Sequence, residues 1–379
     1  MNTNFHHKNI IKFDYLKEPS LMFGDYFEHE DTKTGLYEHG PFGKNIAGLH
    51  ISEIRLGFIG TLETISIAKE WIDRCSNYIE SENIKIIKEK VTPSPVPLFE
   101  EDFEPHSQKR LRLDKIINRD FIGFNNDTKL KCEFQMNTRW ERSIKPKELK
   151  QILEINDKRK RILEVVDLIN ANLTSITKTD PTPNIVIIAL TKEIEDLADT
   201  VKISGNFYLN LRRALKAKAM NQKNAIPIQI IRQKTLEEKR EIQEPATRAW
   251  NFCTAQYYKA GGIPWVPANL QRDTCYIGIS FYVTQEIGED LTMRSSVAQA
   301  FDYLGQGLVL RGEPFEWDVK ELGPSPHLTK NNARNLIKNT LEEYVKIRGN
   351  PPSRIVIHKT SEFWGDERGE YNECAKRSL

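Results

Sequence analysis

Four side chains between Asn206 and Trp265 have the types and spacing to do chemistry together: Arg212, Lys216, Gln229 and Lys259. From Phe207 to Arg240 the chain carries nine Lys/Arg against two Glu, although its formal net charge over 379 residues is only +2. Arg212 and Lys216 are four apart and share one face of a helix. A turn with Pro227 follows, then a short apolar run containing Gln229, then a second helix bearing Lys259. Two cations, an amide and a third cation brought from separate elements suit a phosphate monoester. Arginine supplies a fork of donors, lysine a point charge, and glutamine a neutral donor that adds no desolvated charge. On charge alone, the same stretch reads as a solvated basic helix face.

The elements that must position these groups follow from periodicity. Asn184 to Leu190 (NIVIIAL) is a continuous apolar run of strand length, as in a buried parallel strand. The helix with Arg212 and Lys216, a strand at Pro227–Ile231 and the helix to Lys259 complete a strand–helix–strand–helix order. That order predicts an α/β, Rossmann-like layer with ligands at the carboxyl ends of its strands, and Gln229 sits near such a strand. Upstream, a strand at Glu53–Ile59 leads into a helix from Leu62 to Ile79, with Ile65, Ala68, Ile72, Cys75 and Ile79 at helical spacing. Strand, glycine turn and helix hint at nucleotide binding, but Gly57 and Gly60 do not make a GxGxxG fingerprint. Glycines at 24, 35, 40, 43 and 48 mark residues 18 to 61 as loops before that strand. A linker near 92–106 holds Pro93, Pro95, Pro97 and the acidic run Glu100–Glu104, and residues 107 to 147 resist assignment. Glu148–Leu173 reads as one amphipathic helix, with Lys158–Arg161 on its solvated face.

After Trp265 the pattern changes. Strands are predicted at Thr274–Thr284, Ser296–Tyr303 and Gln306–Leu310. A long helix, Leu328–Ile347, is opened by Gly323-Pro324-Ser325-Pro326 and closed by Gly349, and Arg354–His358 is a further strand. Three antiparallel strands, a helix and a returning strand are the opening of an RNase H-like fold. The predicted organisation is a lead-in at 1–20, a Rossmann-like region at 21–250 and an RNase H-like region at 251–379.

Composition bounds the reading without naming a function. No run of 18 apolar residues exists, so no helical membrane span is expected, and the N-terminus lacks the features of a secretory signal. Cys75, Cys132, Cys253, Cys275 and Cys374 are odd in number and never form a CxxC, which argues for reduced thiols, a cytoplasmic setting and no structural zinc. The near-neutral balance means that any nucleic-acid binding is local.

The order Arg212, Lys216, Gln229, then Lys259-x-Gly261-Gly262-Ile263-Pro264-Trp265 resembles the 5′-phosphate pocket of the MID domain in Argonaute and PIWI proteins. Arg212 departs from the Tyr of many members but keeps a donor, and Lys218 competes with Lys216 for the second place. A second stretch, Glu18-Pro19, Phe23-Gly24, Gly35-Leu36 and Gly40-Pro41, resembles the N-terminal signature of short prokaryotic Argonautes. No PAZ-like segment is visible between Glu18 and Asn184, which suits the short class. The resemblance implies a Rossmann-like MID domain followed by an RNase H-like PIWI domain. The PIWI half reads as incomplete, through truncation, a frameshift or a split gene.

Cleavage in a PIWI domain requires two divalent cations about 3.5–4 Å apart on carboxylates. Where cleaving members carry Ile-Gly-x-Asp, this chain reads Ile277-Gly278-Ile279-Ser280, and where a second Asp ends the later strand it reads His358-Lys359-Thr360. Ser280 and Thr360 thus take the usual Asp positions, Lys359 is expected to add a cation where metals would sit, and Glu313, with Glu316 as rival, is a remnant of the family's mobile Glu. The resemblance therefore implies the catalytically inactive class: a protein that holds the 5′-phosphate of a short guide RNA or DNA and recognises a complementary target, expected to be DNA, without cutting it. It further implies Mg²⁺ at the guide 5′-phosphate but no catalytic metal pair. A separate APAZ-containing effector (TIR-like, sirtuin-like or nuclease) would be activated in defence against plasmids or phage. The alternatives are an RNase H-type nuclease using Asp273, Glu286, Glu289, Asp290 or Glu313, and a non-functional truncated remnant.

Overall fold

A computed structural model describes residues 18–81, 86–87, 115–116, 118–197, 201–204, 207–233, 243–271, 273–284, 292–302, 304, 307–310, 312–317, 323 and 325–378. The Pro-rich linker with its acidic run, and Glu286, Glu289 and Asp290, lie outside the described residues.

The first lobe is built on a parallel sheet. In chain order its strands are β1 (Glu53–Gly60), β2 (Glu133–Ser143), β3 (Ile185–Leu190) and β4 (Ile228–Arg232), and their order across the sheet is β4-β3-β1-β2. Every residue of β3 is buried because both faces of the sheet are covered. Alternation divides the run between two cores. Ile185 and Ile187 join Leu56, Phe58 and Trp250 on one face, whereas Val186, Ile188 and Leu190 join Ile162, Ile169 and Leu215 on the other. The first face is covered by α2 (Leu62–Cys75) and by a helix that starts at Pro245, the second by α3 (Pro146–Leu153), α4 (Lys158–Ile176) and α6 (Leu211–Met220); a short α5 (Lys192–Glu195) follows β3.

Three local expectations are corrected. The helix expected at Glu148–Leu173 is two helices, α3 and α4, because the Asp157 carboxylate accepts from the N–H groups of Arg159 (2.8 Å) and Lys160 (3.3 Å) and starts a new helix there. α2 stops at Cys75, and Ile79 instead pairs with Phe121 as an isolated bridge. The segment expected as loops contains a helix, α1 (Thr32–His39), capped by Asp31.

The helix from Pro245 to Lys259, α7, runs through residue 250, where the two regions were expected to divide. Ala246, Ala249, Trp250, Cys253 and Tyr257 all pack into the first lobe, so the whole helix belongs to it. Beyond it, Val266–Pro267 pairs antiparallel with Leu21–Met22, tying the start of the described chain to the exit of α7.

The second lobe holds β5 (Thr274–Thr284), β6 (Thr292–Phe301), β7 (Gly307–Leu310) and β8 (Arg354–Lys359), in the order β7-β6-β5-β8. β5, β6 and β7 are antiparallel neighbours and β8 returns parallel to β5, with Ile277 opposite Ile357. Cys275, Ile277 and Ile279 pack on Leu336, Ile337 and Leu341 of α8 (Lys330–Arg348) and on Tyr371 of α9 (Gly365–Ser378). α8 ends at Gly349 in the left-handed conformation (φ 81°), as its sequence predicts. The whole is the α/β architecture expected: a Rossmann-like layer followed by the opening of an RNase H-like sheet.

Candidate functional site

The basic helix α6 forms because Leu211, Leu215 and Ala219 fall on one face and are buried, while Asn210 caps the N-terminus by accepting from Arg213 N–H at 3.2 Å. Arg212 and Lys216 are left exposed. Arg212 lies in the first turn, where the helix dipole is already positive, so both features favour an anion there.

α6 and α7 cover opposite faces of the sheet, and β4 between them is an edge strand. Gln229, on β4 opposite Ile187, faces the α7 side. The Lys259 ammonium donates to Gln229 Oε1 at 2.5 Å and to the Ile228 carbonyl at 3.1 Å. Lys216 reaches the same place from the α6 side, close enough to act electrostatically on Lys259. Burial, and then the Lys216 charge, pull the Lys259 pKa down to about 8. An ammonium has three donors; two are used, and among the described residues no carboxylate pairs with Lys216 or Lys259. Arg212 stands in the wall of an adjoining cavity of about 310 Å³ that also includes Gln229, Arg232, Gln243, Arg248 and Gln256. Such a rim of cations and amides can take a phosphate and exclude a metal cation.

Lys218 is drawn elsewhere. Its ammonium lies 3.2 Å from Asp167 of α4, so Lys216 is the lysine of α6 that accompanies Lys259. Gln229 is the second residue of β4, towards the amino end of the strand, whereas ligands were expected at the carboxyl ends. The site arises at a sheet edge and not at the strand ends. The glycine pair after Lys259 has two separate reasons. Gly261 adopts φ 103°, and a Cβ on Gly262 would come within 2.4 Å of the Tyr257 ring.

Sequence reasoning missed Gln256. It is 0% exposed, donates to Gln229 Oε1 at 3.3 Å and to the Phe252 carbonyl at 3.2 Å, and its own Oε1 has no hydrogen-bond partner. The spacing that marks it is three residues before Lys259, one turn back on the same helix face. Arg248, buried beneath the Trp71 ring at 4.7 Å, was also missed.

In the second lobe, Ser280 lies in the middle of β5 and Thr360 just past the end of neighbouring β8, with Thr360 N–H donating to the Ile279 carbonyl at 3.0 Å. Lys359 departs from its expected place. Its ammonium contacts His327 Nδ1 at 3.1 Å, donates to the Glu362 carbonyl at 2.7 Å and lies 5.3 Å from the Phe281 ring. Phe281 packs on the helix-covered core, whereas Ser280 alternates to the other side of β5. Glu313 and Glu316 are exposed, and Asp273 precedes β5 at the end remote from Ser280. The described residues contain no group of three His, Cys, Asp or Glu arranged for a metal.

No family model matches the chain, and no curated protein matches it in sequence. Among solved structures, the Argonaute of Clostridium butyricum, bound to a guide DNA and a 19-mer target DNA, is similar at 17% identity and a TM-score of 0.53; the similarity covers 96% of this chain and 38% of that one. The Argonaute of A. aeolicus is similar at 13% identity and 0.49, over 95% of this chain and 38% of that one. The Argonaute of Marinitoga piezophila, in complex with a 5′ OH guide RNA, is similar at 12% identity and 0.47, over 96% and 43%. The chain thus spans about two fifths of the length of these structures. The first comparison carries the fold: the chain has the MID and PIWI type of α/β architecture found in Argonautes.

Proposed function

We propose that the protein holds the 5′-phosphate of a short guide strand at Lys259, Gln229, Lys216 and Arg212, with its bases free to pair with a complementary target. The observation that carries this reading is the half-buried Lys259 ammonium held on Gln229, whose pKa is depressed by burial and then by repulsion from the charge of the exposed Lys216. An anion relieves that repulsion and takes the third ammonium donor. Phosphate contacts fix register, and base pairing supplies the sequence. A site that contacts only the phosphate would not touch a 2′-OH, so RNA and DNA guides are both admitted. The oxygens around Lys259, those of Gln229, Gln256 and the Ile228 carbonyl, are neutral and none is a carboxylate, so a Mg²⁺ bound here would rest chiefly on the phosphate itself.

In the same reading the protein does not cut its target, since hydroxyls at Ser280 and Thr360 lack the charge that holds two divalent cations. It acts through a separate effector subunit of the APAZ-containing kind, switched on by a paired target, expected to be DNA, in cytoplasmic defence against plasmids or phage.

The test is binding of a labelled strand of about 20 nucleotides, 5′-phosphorylated or 5′-hydroxyl, across a salt series. The wild type is expected to prefer the phosphate, and Lys216→Ala/Lys259→Ala to lose that preference. With two fewer contacts, the variant's salt slope is expected to fall by about 1.4 for a single strand. Equal binding of both strands by the wild type would reduce the site to a generic basic face. Cleavage of a paired target in Mg²⁺ or Mn²⁺ would overturn the non-cutting part alone.

A further inference from the structure

The expected ligand position of the first sheet and the site around Lys259 do not coincide. In an open parallel sheet, ligands settle outside the carboxyl ends of the strands, where the chain order reverses. Here the order β4-β3-β1-β2 reverses between β1 and β3. All four carboxyl ends open onto one crevice of about 770 Å³, whose walls include Thr61, Ser143, Thr191 and Gln233, the residues at or just after the ends of β1, β2, β3 and β4. Gln229, the second residue of β4, and Gln233, just past its end, are four residues apart, or about 13 Å at the strand rise. The crevice and the Lys259 site therefore lie at opposite ends of the same strand.

The crevice is equipped for one small anion attached to an apolar body. α2 and α3 both begin at its wall. The Thr61–Thr64 capping box satisfies the N–H groups of those two residues, leaving the N–H groups of Leu62 and Glu63 at the positive end of a 14-residue helix. α3 starts after Lys145 with no side-chain cap, but its first residue, Pro146, has no N–H, so Lys145 is the donor at that end. Lys145 at the start of α3, Lys150 within it and Lys192 of α5 line the crevice, and Gln233 Oε1 accepts from the Lys192 backbone N–H at 3.2 Å, closing its far side. Leu62, 75% exposed, joins Leu149 and Leu153 as an apolar wall. Glu63 and Glu193 also line it, which leaves a net side-chain charge of one and disfavours a polyanionic strand. Gly60 brings α2 close to β3: a Cβ there would meet Thr64 Oγ1 at 2.6 Å and the Ala189 carbonyl at 2.7 Å. The strand–glycine–helix signal in the sequence thus leads to a formed crevice although the GxGxxG fingerprint is missing.

We propose that this crevice is a second site, for a nucleotide, with phosphate at the first turns of α2 and α3 beside Lys145 and Lys192, and the base or sugar against Leu62, Leu149 and Leu153. It is separate from the Lys259 site and does not depend on it.

The experiment is calorimetric titration of the full chain with AMP, ATP and inorganic phosphate, for the wild type, Lys145→Glu/Lys192→Glu and Lys216→Ala/Lys259→Ala. Both lysines of the first variant are exposed, and its fold is checked by circular dichroism. Saturable one-to-one binding of a nucleotide is expected, tighter than inorganic phosphate, weakened at least tenfold in Lys145→Glu/Lys192→Glu and unchanged in Lys216→Ala/Lys259→Ala. No nucleotide binding by the folded wild type overturns the proposal. So does binding lost only in Lys216→Ala/Lys259→Ala, which would put the nucleotide at the other site.

Discussion

Lys259 concentrates the chemistry of the candidate site, because it is both hydrogen-bonded and electrostatically uncomfortable. Its pKa, near 8 when the site is empty of anion, makes phosphate binding depend on pH in a stated direction. Below about pH 8 the ammonium is charged in both free and bound protein, so affinity is flat. Above that, the free protein must take up a proton to bind, and affinity falls until the pH passes the higher pKa of the bound state. The same depression means that folding sheds a proton between pH 8 and the ordinary lysine range, so this group's contribution to stability rises with pH there, opposite to binding. Fluorescence anisotropy from pH 6.5 to 9.5 is expected to show the phosphorylated strand losing its advantage over the hydroxyl strand above pH 8. An advantage unchanged to pH 9.5 would mean that Lys259 makes no contact with the phosphate. Lys218 offers a contrast: the same residue type two positions from Lys216, but with its charge partly offset by the Asp167 carboxylate at 3.2 Å.

One helix, α7, joins site and core. Its apolar stripe holds Trp250, Cys253 and Tyr257 in the first lobe, and its last turn delivers Gln256 and Lys259 to β4. The exit is set by Gly262 packing on the Tyr257 ring, so Gly262→Val is expected to push the last turn out of place while removing no donor. Overpacking of this kind costs about 1–3 kcal/mol, readable as a lower urea midpoint, and the preference for 5′-phosphate should weaken with it. Gly369→Ala, in open space on α9, serves as the control and should leave binding untouched. Preference retained in Gly262→Val would show that the exit does not hold Lys259 in register. How much of this was legible depends on what each element faces. β3 announced itself because both its faces are buried and every residue is apolar. β2 did not, since it is an edge strand of mixed residues, EFQMNTRWERS, half-buried or exposed except Trp140, with no alternation to read. The α3–α4 break was hidden because the apolar stripe continues across it, and only the cap at Asp157 marks it. Gln256 was invisible for a different reason: a polar residue in a helix looks solvated until a neighbouring strand is seen to bury it.

At the scale of the molecule, the two cores of the first lobe share one sheet, whereas the core of the second lobe is made from its own strands and from α8 and α9. Side chains in the first lobe therefore bear on one cooperative unit, and those packed between β5 and α8 on another. Calorimetry is expected to resolve two transitions, assignable by substitution. Trp250→Ala, at 2% exposure, should cost about 3–5 kcal/mol and lower one transition. Leu336→Ala should cost about 2–5 kcal/mol and lower the other. A 5′-phosphorylated dinucleotide held at Lys259 should at about 100 times its Kd stabilise only the transition that Trp250→Ala lowers, by about 2.7 kcal/mol. If both substitutions and the dinucleotide move a single transition together, the lobes fold as one unit, and the link through Leu21–Met22 and Val266–Pro267 must be strong enough to couple them. If the dinucleotide instead moves the transition set by Leu336, the phosphate is held in the RNase H-like lobe, and the lysine pair at β4 is not its site.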